Sequence, residues 1–137
     1  MPSRDHHRGS IPAPRSSCPI GCALDVLGDR WTLLVLRDVL LAKKRSFSEL
    51  AASEGIATNI LSDRLARLEN SGIVRRIPDP EDGRRRLVMP TARGMELIPI
   101  LLDLHAWGSA HTEGTAKAEL AEWVCRDREA AIAAFMD

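Results

Sequence analysis

The chain has no tyrosine and only two phenylalanines, and aromatics make up 4% of its 137 residues while hydrophobic residues reach 45%. A core so poor in aromatics must be filled by Leu, Ile, Val and Ala, a composition that leans toward helices. Long apolar runs are missing too: the longest candidate, Trp31 to Ala42, is broken by Arg37 and Asp38, which excludes a bilayer-spanning helix there. The N-terminal stretch, with His6, His7, Pro12 and Pro14, lacks the apolar centre of a secretory signal. Three cysteines are an odd number and a poor basis for a disulfide framework, so a reducing, cytoplasmic setting is expected. Cys18 and Cys22 lie four residues apart, but no His or Cys pair at ligand spacing follows, and no metal is expected. Neither a Gly-rich phosphate loop nor a nucleophile elbow is present. The chain reads as a non-enzyme without a cofactor.

Neither sign of charge is in excess, since 19 basic and 19 acidic residues cancel. Their distribution says more than their sum. Residues 1–44 carry seven basic and four acidic side chains, residues 45–93 nine and seven, and residues 94–137 three and eight. The C-terminal third is therefore acidic, while basic charge gathers at Arg75-Arg76 and Arg84-Arg85-Arg86. A local footprint for a polyanion survives; an ordinary solvated surface is the plain alternative.

Residues 1–17 are small, polar and punctuated by proline, and read as a disordered arm. Cys18-Pro19 opens a helix, with Pro suited to the first helical position. Gly28-Asp29 separates it from a second helix, about Arg30 to Ala42, apolar almost all round and hence central. Ser46-Phe47-Ser48-Glu49 fits a capping box, and the helix it starts must end near Glu54-Gly55, where Gly tolerates a left-handed turn. The next helix begins around Thr58, buries Ile60, Leu61, Leu65 and Leu68, and stops at Asn70-Ser71-Gly72. Two β-favouring runs, residues 73–77 and 86–89, flank a Pro/Asp/Gly-rich loop and predict an antiparallel hairpin. Thr91 can cap an apolar helix reaching Trp107, with a kink at Pro99. A break from Gly108 through Gly114 then precedes an amphipathic stretch from Thr115. Trp31, Leu34, Leu50, Leu61, Leu65 and Leu68 are the expected core anchors.

Helix, turn, helix and a basic-tipped hairpin is the pattern of a winged helix-turn-helix, which sets one helix in the major groove and a charged loop along the backbone. The expected fold is mostly α with a small β-hairpin, flanked by N- and C-terminal helices. On the candidate reading helix, Thr58, Asn59 and Ser62 lie at the end that meets base edges. Asp63 can accept from a cytosine amine or buttress an arginine, while Arg64 and Arg67 can take bases or phosphates. Replacing Arg64 by Ala is expected to weaken DNA binding with little loss of thermal stability. Arg84, Arg85 and Arg86 at the wing tip would make salt-dependent, sequence-blind phosphate contacts. Asp79, Glu81 and Asp82 can pair with them when DNA is absent. Arg30, Lys43 and Lys44 are weaker phosphate candidates. Cys18, at a helix start with Arg15 nearby, is a candidate redox sensor, since such a site lowers a thiol's pKa; a small apolar residue in an interface is the plainer reading.

A string of motifs then resembles a known family. Cys18-Pro19, the segment from Ala23 through Gly28-Asp29-Arg30-Trp31 to Leu34, Phe47-Ser48-Glu49-Leu50, Leu61-Ser62-Asp63-Arg64-Leu65, Leu68-Glu69-Asn70-Ser71-Gly72-Ile73-Val74, Thr91-Ala92-Arg93-Gly94 and Ala106-Trp107-Gly108 are similar, in this order, to the HxlR-type winged-helix regulators of bacteria. The resemblance covers about Cys18 to Gly108. It implies a homodimer, joined through its first and last helices, that binds a palindromic operator in double-stranded DNA and regulates transcription; the whole reading is a cytoplasmic regulator expected to act as a repressor. It also implies a sensor role for a cysteine at the place of Cys18. Two departures stand out: Ala57 and Thr58 replace the Ser and Pro that often open the family's reading helix, and about thirty residues follow Trp107. The expected organisation is an arm (1–17), a winged helix-turn-helix domain (18–108) and a helical extension (109–137). Other readings stay open at this point: a winged-helix protein–protein interaction module docking through the acidic tail, or a regulator binding a small apolar ligand at a dimer interface around Trp31, Leu101, His105 and Trp107.

Overall fold

The computed structural model describes residues 15–113 and 118–137, so the expected arm lies outside the described residues except for 15–17. The fold is mostly helical with a two-stranded antiparallel hairpin, in the order α1 (Pro19–Leu27), α2 (Arg30–Leu40), α3 (Phe47–Ala51), α4 (Thr58–Asn70), β1 (Val74–Pro78), β2 (Arg86–Pro90), α5 (Ala92–Met95), α6 (Ile98–His111), α7 (Ala118–Arg126) and α8 (Arg128–Met136). The chain divides into two compact units after Gly94.

In the first unit, α2 supplies the centre with Leu36, Val39 and Leu40, each at most 1% exposed. Leu50 of α3 and Leu61, Leu65 and Leu68 of α4 close around it, as the sequence predicts. Trp31 and Leu34 do not join them: both are only half-buried, and the Trp31 ring carries the Arg30 guanidinium 5.2 Å from its centroid. The capping box at α3 forms in full: Glu49 N–H donates to Ser46 Oγ at 3.2 Å and Ser46 N–H to Glu49 Oε1 at 3.1 Å. The helix is only five residues long, and the turn after it uses two left-handed residues, Glu54 (φ 55°) and Gly55 (φ 67°). A non-glycine residue there costs about 1–2 kcal/mol. Arg37 Nη1 lies 3.2 Å from Glu54 Oε2 and Nη2 donates to Ser53 Oγ at 2.9 Å, fastening the turn to α2.

α4 ends on Gly72 (φ 75°), with Ile73 N–H donating to Leu68 O and Gly72 N–H to Glu69 O, the paired bonds of a Schellman stop. The hairpin pairs Val74 with Pro90, Arg76 with Val88 and Pro78 with Arg86. Its inner edge docks through Val88 N–H donating to Arg45 O at 2.7 Å. Thr91 caps α5, a four-residue helix and not the long one expected to reach Trp107, accepting from Gly94 N–H at 3.1 Å while its own hydroxyl donates to Gly72 O. Gly94 must be glycine here, because a Cβ would lie 2.2 Å from the Ile73 carbonyl oxygen.

The second unit departs from expectation at three points. Pro99 does not kink a continuous helix; the chain breaks at residues 96–97 and Pro99 occupies the first turn of α6. Gly108 does not end α6, which continues to His111. The amphipathic tail is two helices, divided at Asp127, whose carboxylate accepts from Ala130 N–H and caps α8. Ile98, Leu101, Leu102, Ala121, Val124 and Ala131 form this unit's core, and Arg128 grips Asp103 through two bonds of 2.9 Å. Among the described residues no helix is long and apolar enough to cross a membrane.

Candidate nucleic-acid interface

The N-terminal end of α4 is open. Ala57 is its N-cap and offers no side-chain hydrogen bond, so the first-turn N–H groups keep their donor capacity. Thr58, Asn59, Ser62 and Asp63 are all exposed, whereas Leu61, Leu65 and Leu68 occupy the opposite, buried side. The periodicity that hides the leucines is what presents the polar face.

Arg64 differs from its expected free state. Its side chain is 19% exposed, with Nε donating to Asp29 Oδ1 at 3.1 Å and Nη1 to Asp63 Oδ2 at 2.6 Å. Arg67 is more open, lying 3.8 Å from Asp63 and 4.0 Å from Asp29. Asp63 thus buttresses arginines, one of the two roles foreseen for it. Burial disfavours the Asp29 carboxylate, but hydrogen bonds from the Thr32 hydroxyl and N–H and from Arg64 prevail and hold it below the usual carboxylate range. A loss of Arg64 would therefore also loosen the packing of α4 on α2, contrary to the small stability effect expected.

The wing loop is shaped by its own acids. Glu81 N–H donates to Asp79 Oδ1 at 2.9 Å and Arg84 N–H to Asp82 Oδ1 at 3.1 Å, both Asx-type turns. Arg84 is 94% exposed and 3.5 Å from Asp82; Arg85 is 54% exposed and 3.3 Å from Asp79. Arg86 Nη2 donates to the Arg76 carbonyl across the hairpin at 3.1 Å. Asp79 and Asp82 thus pair with wing arginines, while Glu81 contributes its backbone.

Arg76, noted in the sequence only as part of a basic cluster, takes a specific place in the hairpin. It pairs with Val88 in the ladder and shares the hairpin face of buried Val74 and Val88. With Arg86, Ser46 and Ser48 it lines an open cleft of about 430 Å³ floored by Leu65 and Val88. Its Nε is buried and faces Glu69 Oε1 at 3.5 Å without a hydrogen bond. The alternation of β1 held the signal: buried Val74 puts Arg76 on the inner face. Of the weaker candidates, Arg30 is 68% exposed, 3.9 Å from Glu54, and Lys44 lies 3.9 Å from Asp38; Lys43 is exposed with φ 57°.

The HxlR-like helix-turn-helix family model matches residues 26–116, the stretch that holds both α4 and the hairpin. The chain belongs to the HxlR-like helix-turn-helix family. It is 39% identical over 92 residues to the HTH-type transcriptional regulator sll1512 of Synechocystis sp., a match spanning 67% of this chain and 68% of that one. The solved structure of PA1607 superposes with a TM-score of 0.67 at 33% identity, over 75% of this chain and 71% of that one. The reduced form of the redox regulator HypR does so with a TM-score of 0.63 at 27% identity, over 70% and 95%.

This HxlR-family chain carries three free thiols, Cys18, Cys22 and Cys125. Cys18 is the N-cap of α1 and exposed, and the backbone N–H groups of Gly21 and Ile20 push its thiol below the usual value. Ser16 anchors the same corner: its hydroxyl accepts from Cys18 N–H at 3.1 Å, and its carbonyl accepts from the Cys22 thiol at 3.2 Å. Among the described residues no cluster of three or more His, Cys, Asp or Glu side chains could hold a metal ion.

Proposed function

We propose that the protein is a cytoplasmic homodimer that binds an operator in double-stranded DNA sequence-specifically and represses transcription. The observation that carries this reading is the exposed polar face at the start of α4, with Thr58, Asn59 and Ser62, in the same compact unit as a wing whose tip holds Arg84 and Arg85. Polar side chains at a helix N-terminus suit base edges in the major groove, and exposed arginines suit phosphates. The dimer reading draws on uncovered apolar surface. No residue of α1 is buried, and its Ile20 and Leu24 are 72% and 57% exposed. On α6, Ile100, Leu104 and Trp107 are 47%, 48% and 62% exposed at helical spacing. A second copy covering such stripes gives the two-fold symmetry that a palindromic site requires.

A switch at Cys18 is part of the proposal, supported by the exposed, acidified thiol and by likeness to the redox regulator HypR. Titration of binding to random and selected duplexes with salt tests the core reading. A steep negative slope is expected; a flat response, or no binding, favours a protein–protein module and overturns the DNA reading. Diamide should alter the affinity of the wild type and leave Cys18→Ser unmoved; equal responses would remove the switch.

A further inference from the structure

Arg64, a leading candidate for base contact, is held in place by another helix. Asp29 is the N-cap of α2, where Oδ1 accepts from Trp31 N–H at 2.9 Å and Thr32 N–H at 3.0 Å, and Oδ2 from the Thr32 hydroxyl at 2.8 Å. The same Oδ1 accepts Arg64 Nε–H at 3.1 Å, from a residue 35 positions further along the chain. The two backbone bonds would form in any well-capped helix and the Thr32 hydroxyl bond stays within α2; the fourth is a tie to the reader. Asp63 takes Nη1 at 2.6 Å, but it rides on α4 and moves with Arg64. Among the described residues, only Asp29 refers the guanidinium to a different element. Among the described residues the Arg64 Nη2 group makes no hydrogen bond, which leaves it a donor for a duplex.

We infer that Asp29 is a positioning residue for DNA reading: by clasping Arg64 it fixes the guanidinium, and the rotation of α4 on α2, in the pose that meets a base edge. The inference rests on the DNA reading proposed above. An arginine immobilised in advance loses less freedom on binding, and a fork donor placed to within a fraction of an ångström discriminates between bases better than a loose one. The clasp lies on the protein side of the contact, so Asp29 need not touch DNA itself.

A purely structural pair predicts something different, and the two separate cleanly. Asp29→Asn keeps an acceptor at the α2 N-cap and removes the charge that holds Arg64; Asp29→Ser does the same with a shorter side chain. Full-length variants, checked for wild-type folding by circular dichroism, are titrated against a duplex selected by the wild type and against a scrambled one. For both Asp29 variants, affinity for the selected duplex should fall about tenfold or more, the size of one lost base discrimination. Affinity for the scrambled duplex should hold or rise, because a negative charge near a polyanion has gone. Combining Asp29→Asn with Arg64→Gln should add no more than about twofold to the loss from Arg64→Gln alone, since both act through one contact. Wild-type discrimination in the Asp29 variants, or parallel loss of both duplexes in well-folded protein, would overturn the inference while leaving the DNA reading standing. A wild type that prefers no duplex would overturn that reading and this inference together. The clasp is also visible without DNA: the Arg64 Nε–H should be a slowly exchanging NMR resonance in the wild type and lose protection in Asp29→Asn, and rapid exchange in both would remove the clasp.

Discussion

Replacing Arg84, Arg85 and Arg86 together by Ala tests the wing quantitatively. Arg84 is 94% exposed and held only by Asp82 at 3.5 Å, so it can leave for a phosphate at little cost. Arg85, 54% exposed, must first give up Asp79 at 3.3 Å, and Arg86 is engaged with the Arg76 carbonyl. On the proposed reading, one to two phosphate contacts per wing are expected, or about two to four in the proposed dimer, and each contributes about 0.9 to the slope of log K against log salt. The triple variant should thus bind with a slope shallower by about 2–4. Between about 50 and 200 mM salt the wild type should lose roughly 10- to 150-fold more affinity than the variant. Fluorescence anisotropy with a labelled duplex across that range reads both slopes. The ratio of selected to scrambled affinity should change little, because phosphates carry no sequence. Parallel slopes with a uniform drop in affinity would refute the argument, since the wing would then act through shape rather than charge.

Other consequences concern the scaffold and the thiol. Gly94→Ala forces a methyl into the Ile73 carbonyl and should cost about 2–3 kcal/mol, seen as an earlier urea midpoint with unchanged slope; wild-type stability would contradict the close approach. Asp29 and Asp103 have carboxylates held below the ordinary range, Asp29 by Thr32 and Arg64 against its burial, Asp103 chiefly by Arg128. Their stabilisation is present in full above about pH 4 and is lost as pH falls through the lower folded values. Melting temperature should drop on acidification in that window, and less steeply in Asp29→Asn; identical acid profiles would count against the tie. In a Cys22→Ser, Cys125→Ser background, alkylation of Cys18 by iodoacetamide should reach half-maximal rate at a lower pH than for a cysteine in an unstructured peptide. A midpoint at the peptide's value would show that the Gly21 and Ile20 N–H groups do not stabilise the thiolate.

Much of the first unit was legible because local rules and tertiary packing agree there. The Ser46–Glu49 box, the Gly72 stop and the leucine spacing of α4 each specify the same helix boundaries that packing rewards. Trp31 was misjudged for a different reason: apolar character marks a residue as wanting cover but does not say whether the fold of its own chain provides it. Pro99 was misread as a kink because proline suits the first turn of a new helix as well as it disrupts an old one, and sequence alone does not show the break at residues 96–97. The Arg37–Glu54 clamp and the Asp29–Arg64 tie join residues 17 and 35 positions apart, beyond any local periodicity. The exposed face of Thr58, Asn59 and Ser62 could be read directly, whereas the restraint on Arg64 could be seen only once α2 and α4 were packed together.

The most direct measurement is contact mapping from the reader itself. A photo-crosslinking amino acid at Asn59, in the full-length chain bound to its selected duplex, should attach to bases along the major-groove edge of each half-site, two sites related by the dyad. Crosslinks confined to the sugar–phosphate backbone, or none while a probe at Arg84 labels DNA efficiently, would contradict insertion of α4 into the groove.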